Sequence, residues 1–474
     1  MTSSSDLALD PVQRLQLWQR LATEIERYMR QVAGARVAPQ LDPGALAASL
    51  EQFDFAQPMP AIEALASAVE GLWQHQVHTP HPRYFGLFNP APTTMGIAAD
   101  ALVAAFNPQI AAWSHSPYAA SVERHLVREV GKKFGYALPH LDGVFTSGGA
   151  EANHTALLCA LTHAFPEYGR GGARALPQAP AIYVSALAHD SVKKAARLCG
   201  LGTECVRALA VDEELRMPAE AVAREIRADR AAGVRPLMVV ATAGTTGTGV
   251  ADAIAELAEV AAEQRVWLHA DAAWGGMAAL VPELRRVLDG IERADSITFD
   301  AHKSLSVPMA AGMLLTRHAG ILERTFSVAA DYMPRDGAGV SDALEDPFAH
   351  SMQWSRRFIG LKLFLSLAAA GWAGYEAALR HQVAMGDRLR SAAEAAGWRV
   401  VNRTPLPLAC LARPETDIEA TVRAVVASGE AWISSVRLPQ GPAIRACITN
   451  YRTQAADVEA LLASLEEHRV PARR

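Results

Sequence analysis

The segment Phe299-Asp300-Ala301-His302-Lys303-Ser304-Leu305 places a lysine after the apolar run "SITF" and shortly before "VPMAAGMLL". Lysine is scarce in this chain. There are six, Lys132, Lys133, Lys193, Lys194, Lys303 and Lys362, within a Lys+Arg total of 45. Arginine is the default cation, and its guanidinium stays protonated, whereas a lysine amine can be neutralised by its surroundings and attack a carbonyl. Most lysines keep a solvated head at the surface. Apolar neighbours on both sides weaken that reading for Lys303.

Three further strand ends carry polar residues of suggestive type. In "VFTSGGAEANHTALLCAL" an apolar run leads through Ser147-Gly148-Gly149-Ala150 into a helix. Small residues at a helix start let backbone N–H groups approach an anion, which the helix dipole favours, although Gly-rich turns of this kind are common. In "VWLHADAAWGG", Asp271 is either a turn former or a carboxylate able to hold a proton on a heteroaromatic nitrogen. Ala273 is small enough for a flat ring to lie against the backbone. In "SALAHDSVKKAARLCG", His189 closes a strand and opens a helix, as a structural imidazole or a catalytic one. Neither G-x-x-x-x-G-K-[ST] nor G-x-G-x-x-G occurs, which argues against a nucleoside triphosphate or a dinucleotide.

The elements that must position these residues follow from periodicity. Residues 11–31 carry Leu15, Trp18, Leu21, Ile25 and Met29 at helical spacing after an Asp-Pro start, which predicts an amphipathic helix. From about residue 140, "DGVFTS", "AIYVSA", "RPLMVVATA", "VWLHADAA", "SITFDAH" and "AAGMLLT" alternate with helical stretches, the pattern of an α/β unit with a mainly parallel sheet. Functional residues then belong in the loops at the strands' carboxyl ends. A long helical stretch follows "SRRFIGLKLF", and the segment from "WRVVNRTPLPL" onward alternates strands and helices again as a small C-terminal domain.

With 474 residues, 50% hydrophobic and net charge −5, the composition is that of a globular protein and gives no electrostatic reason to expect nucleic acid or a membrane surface. Five scattered cysteines fit a reducing compartment, and no metal site is expected. The N-terminal residues lack a basic start followed by an apolar block, so a cytoplasmic location is expected.

An anion cradle, a ring-stacking histidine, a pyridine-partnering aspartate and a carbonyl-capturing lysine together describe a pyridoxal phosphate site. From "HPRYFGLFNPAP" to "RACITNYRT" the sequence resembles the group II pyridoxal-phosphate-dependent decarboxylases, which include aromatic amino acid, tyrosine, glutamate and diaminobutyrate enzymes. The resemblance implies pyridoxal 5'-phosphate as cofactor, an amino acid as substrate, and the fold type I architecture, like aspartate aminotransferase. By the same resemblance Lys303 is the cofactor lysine, with His302 before it and Asp300 in the same motif. Asp271 stands at the pyridine nitrogen and Ala273 under the ring. His189 covers the other face, Thr246 lies beside the cofactor, and Ser147, Gly149 and Ala150 form the phosphate turn. Tyr332 in "AADYMPRDG" is similar to the loop tyrosine linked to decarboxylation, and Arg356 falls in a further motif.

The resemblance also implies a homodimer: a helical segment 1–85 at the dimer interface, a large cofactor domain 86–350, and helices with a small domain 351–474. Leu87, Phe88, Trp113 and His302 fall on the substrate side. Ala150 stands where several members have serine, Asp300 where the animal aromatic enzymes have asparagine, Leu87 where aromatic decarboxylases have tyrosine, and Ala111 where they have a bulky aromatic. The expected reaction is decarboxylation of an L-amino acid to its amine, with an aromatic substrate favoured. An acidic or diamino substrate, or an aldehyde synthase or other carbon–carbon lyase on the same scaffold, are the alternatives.

Overall fold

The computed structural model describes residues 7–328 and 346–472. Its centre is a sheet of seven strands: β1 Asp142–Thr146, β2 Pro180–Ser185, β3 Val206–Leu209, β4 Arg235–Thr242, β5 Trp267–Asp271, β6 Ser296–Asp300 and β7 Gly312–Thr316. Their spatial order is β1-β7-β6-β5-β4-β2-β3. All pairs are parallel except those of β7, which runs antiparallel to both β1 and β6. The six apolar runs seen in the sequence are six of these strands. The seventh, β3, is short and only half-buried, so its residues give little apolar signal.

Both faces of the sheet are covered, which is why its strands read as continuous apolar runs. Along β4, Met238 and Val240 belong to one buried cluster, with Ala152, Ala156 and Val192 of the overlying helices. Val239 and Ala241 point the other way into a second cluster, with Leu257, Leu268 and Phe299. Within about 25 cal/mol per Å² of apolar surface removed from water, this two-sided burial is the main force holding the strand ends in register.

The helix Pro11–Gln31 coincides with the amphipathic stretch in the sequence, and Asp10 caps it through Val12 N and Gln13 N. The long helical stretch is Gly360–Ala395, broken at Gly371, whose φ of 64° is accessible to glycine at little cost. A second sheet of four antiparallel strands follows, β8 Arg399–Val400, β9 Leu408–Ala412, β10 Ser434–Leu438 and β11 Gly441–Cys447, ordered β10-β11-β9-β8. No helix among the described residues is long and apolar enough to cross a membrane.

Candidate active site

Register brings the polar strand ends together. Thr242 at the end of β4 pairs with Asp271 at the end of β5, and Asp271 pairs with Thr298 on β6. The chain leaves β6 through one helical turn, Ala301–Ser304, so Lys303 folds back over the strand end. Its Nζ lies 3.1 Å from Oδ2 of Asp300, a carboxylate 1% exposed. The other oxygen of Asp300 has no hydrogen-bond partner among the described residues.

One cavity at this edge gathers Lys303 with Asp300, Asp271 with Ala273, and Thr246, His189 and the Gly149–Ala150 turn. Gly149 has to be a glycine here: a Cβ would come within 2.9 Å of Asp300 Oδ2 and 3.2 Å of Ala273 Cβ. The helix Gly149–Ala164 starts at the cavity, so its first N–H groups, which have no carbonyl one turn back, face the edge where Lys303 sits.

Asp271 is fixed by two donors. Oδ1 accepts from Ala273 N at 3.2 Å, the local turn contact, and Oδ2 accepts from Asn153 Nδ2 at 2.9 Å. Asn153 also donates to Ser191 Oγ at 2.8 Å, while its Oδ1 meets Thr298 Oγ1 at 2.7 Å and His269 Nε2 at 3.0 Å. His269 Nδ1 is 2.8 Å from Ser296 Oγ, which accepts from Trp267 Nε1 at 2.9 Å. Burial pushes the His269 imidazole down to about 4.

The remaining expected residues divide. His189 is exposed at the cavity mouth, and its Nδ1 accepts from Ser191 N at 3.2 Å, which leaves the proton of the neutral ring on Nε2. The Ser147 hydroxyl is already committed, donating to Glu151 Oε2 at 2.6 Å. His302 is buried, accepting from Ala311 N at 3.0 Å; burial lowers its pKa and the Asp300 carboxylate opposes that shift. Leu87 is half exposed, and Trp113 lines a different cavity, with Glu123 and Arg356. Tyr332 lies outside the described residues.

Phe88 lies in the site. Its ring stacks on Trp274 at 4.7 Å, with Lys303 Nζ 5.3 Å and the Arg445 guanidinium 5.0 Å from its centroid. Arg445 was not anticipated from the sequence. It is buried on β11, donates to Thr246 O and Gly86 O at 2.7 Å each, and its Nη2 has no hydrogen-bond partner among the described residues. An arginine inside the apolar strand "AIRACI" was the available signal. Asn153, a polar residue between Ala152 and Ala156 on the buried side of its helix, was another.

Comparison with known proteins follows the same lines. Residues 43–411 match the family described as the pyridoxal-dependent decarboxylase conserved domain. The chain belongs to this family. It is 29% identical over 394 residues to an aromatic-L-amino-acid decarboxylase of Bacillus atrophaeus, covering 80% of each chain. It is 34% identical over 314 residues to an L-2,4-diaminobutyrate decarboxylase of Rhizobium meliloti (strain 1021), covering 66% of this chain and 61% of that one. The crystal structure of mouse CSAD superposes with a TM-score of 0.90 at 26% identity, over 97% of this chain and 99% of that chain. The protein is thus a pyridoxal phosphate-dependent amino acid decarboxylase of fold type I.

The decarboxylase's residues fit that cofactor. The cavity offers an amine at Lys303, a carboxylate at Asp271 whose two protein donors leave lone pairs free, and a helix start without a Cβ at Gly149. The buried Thr242 hydroxyl at the same edge also has no partner among the described residues.

Proposed function

We propose that this decarboxylase converts an aromatic L-amino acid to its amine and carbon dioxide. The observation that carries the reading is the stack of Phe88 on Trp274 beside Lys303 and Arg445. That stack offers an apolar, aromatic wall to a substrate side chain, and aromatic pairs gain about 0.5–1.5 kcal/mol beyond area burial.

In this account Lys303 would hold the cofactor's carbonyl carbon, Asp271 its ring nitrogen, Ala273 and His189 its two faces, and Gly149, Ala150 and Thr246 its phosphate end. When bound, pyridoxal phosphate supplies an electron sink for the pair left behind as carbon dioxide departs. Arg445, buried with its Nη2 unpaired and no carboxylate beside it among the described residues, would anchor the substrate carboxylate, because a buried cation without a counter-ion favours an anion strongly. His189, carrying its proton on Nε2, and Tyr332 are the proposed source of the proton returned to the product carbon.

We further propose a homodimer. Leu15 and Trp18 on the helix Pro11–Gln31 are both more than half exposed, an apolar surface suited to burial against a second copy. Leu87 and Trp113 would then face the partner's cavity. The test of substrate is a panel of carboxyl-labelled tyrosine, tryptophan, glutamate and diaminobutyrate, scored for labelled carbon dioxide and for amine. Preference for tyrosine or tryptophan supports the aromatic reading; preference for glutamate or diaminobutyrate rejects it, and aldehyde in place of amine rejects the simple decarboxylase.

A further inference from the structure

The hydrogen bonds behind Asp271 run in one direction only. The Asp271 carboxylate can only accept, so it takes an N–H of Asn153 at 2.9 Å, which sets Asn153 Oδ1 against His269 Nε2 at 3.0 Å. Facing an amide oxygen, the neutral His269 ring carries its proton on Nε2, and its Nδ1 accepts from the Ser296 hydroxyl at 2.8 Å, which itself accepts from the Trp267 indole at 2.9 Å. The NH₂ end then faces Asp271 Oδ2 at 2.9 Å and Ser191 Oγ at 2.8 Å.

The opposite orientation is unfavourable. With the amide turned over, its oxygen would face a carboxylate oxygen at hydrogen-bond distance. Thr298, the other contact of Asn153 Oδ1 at 2.7 Å, cannot set the orientation alone, because a hydroxyl rotates to accept as readily as to donate. The whole chain of groups is buried, so each unmade bond would cost the desolvation of its polar atoms.

We propose that Asn153 and His269 are positioning residues for Asp271. Asn153 gives an amide N–H to the carboxylate, and His269, with its proton on Nε2 and Ser296 on Nδ1, holds the amide oxygen so that the amide stays in that orientation. The carboxylate is thereby held with fixed lone pairs toward the cavity. This rests on the reading that Asp271 partners the cofactor's ring nitrogen.

The test is reconstitution of cofactor-free protein with pyridoxal phosphate, following the absorbance of the bound cofactor against pH, its dissociation constant, and urea unfolding of the cofactor-free protein. Asn153→Asp keeps the shape but sets an oxygen against Asp271. It should displace the midpoint of the spectral titration by about one pH unit or more and weaken cofactor binding at least about tenfold. His269→Leu should act in the same direction to a smaller extent. His269→Gln, which can still donate an amide N–H to Asn153 Oδ1, should stay within about threefold of wild type. If Asn153→Asp does not fold, the two His269 variants decide.

Wild-type midpoint and binding in both Asn153→Asp and His269→Leu, while Asp271→Asn shifts both, would overturn the proposal. So would His269→Gln as impaired as His269→Leu, or variants that lower only the urea midpoint. If Asp271→Asn itself leaves spectrum and binding unchanged, the reading of Asp271 falls, and the proposal with it.

Discussion

Lys303 Nζ lies 3.1 Å from Oδ2 of Asp300, and the two are three residues apart across a single helical turn. The same Oδ2 is 3.8 Å from His302 Nε2, a ring that burial disposes toward its neutral form, and the other oxygen of Asp300 is buried and unbonded among the described residues. Removing the lysine therefore strands a buried negative charge, which costs more than the pair contributes when intact. Lys303→Met should destabilise the cofactor-free protein by on the order of 2 kcal/mol, discounted for the lysine's partial exposure. Adding Asp300→Asn should recover most of that loss. Urea unfolding of the two variants checks it, and an additive double variant would mean that the pair is not coupled.

Arg445 gives a prediction that separates anchoring from packing. Its Nε and Nη1 hold Thr246 O and Gly86 O while Nη2 stays unpaired among the described residues. Arg445→Lys keeps the charge and loses the fork, so the amino acid's KM should rise by about tenfold to a hundredfold. Inhibition by the amine product, which has no carboxylate, should change little. Equal weakening of both ligands would assign Arg445 to the scaffold.

The buried histidines set a pH dependence. Burial holds both His269 and His81 at about 4 when folded, against an ordinary value of 6.5. Between those values the unfolded chain binds protons that the folded one excludes, so this contribution is complete above pH 6.5 and is lost as pH falls toward 4. The slope is about 1.4 kcal/mol per pH unit for each group. Urea midpoints of the cofactor-free protein should fall between pH 7 and pH 5, and less steeply in His269→Gln. A flat profile would show that neither ring is held neutral.

The strand ends were legible because a parallel sheet brings the carboxyl ends of its strands to one edge, so Asp271, His189 and Lys303 could be grouped from three separate apolar runs. What joins them was not. His269 and Ser296 meet because β5 and β6 pair in a register that sets those two residues side by side, and a one-residue slip would turn one ring to the other face. Asn153 reaches Asp271 across 118 residues of sequence, a contact that periodicity does not encode. The break in the long helix at Gly371 was likewise hidden in a stretch of alanines, and β3 was too short and too exposed to stand out.

The central claim is that Lys303, and no other lysine, carries the cofactor. Purified holoprotein should be yellow, and borohydride should fix the cofactor in place and bleach the colour. Peptide mapping of the reduced protein should then find the adduct on the peptide containing Lys303, with none on Lys193, Lys194 or the buried Lys362. An adduct on any of those three, or none at all in a protein that still releases carbon dioxide from an amino acid, would contradict the account.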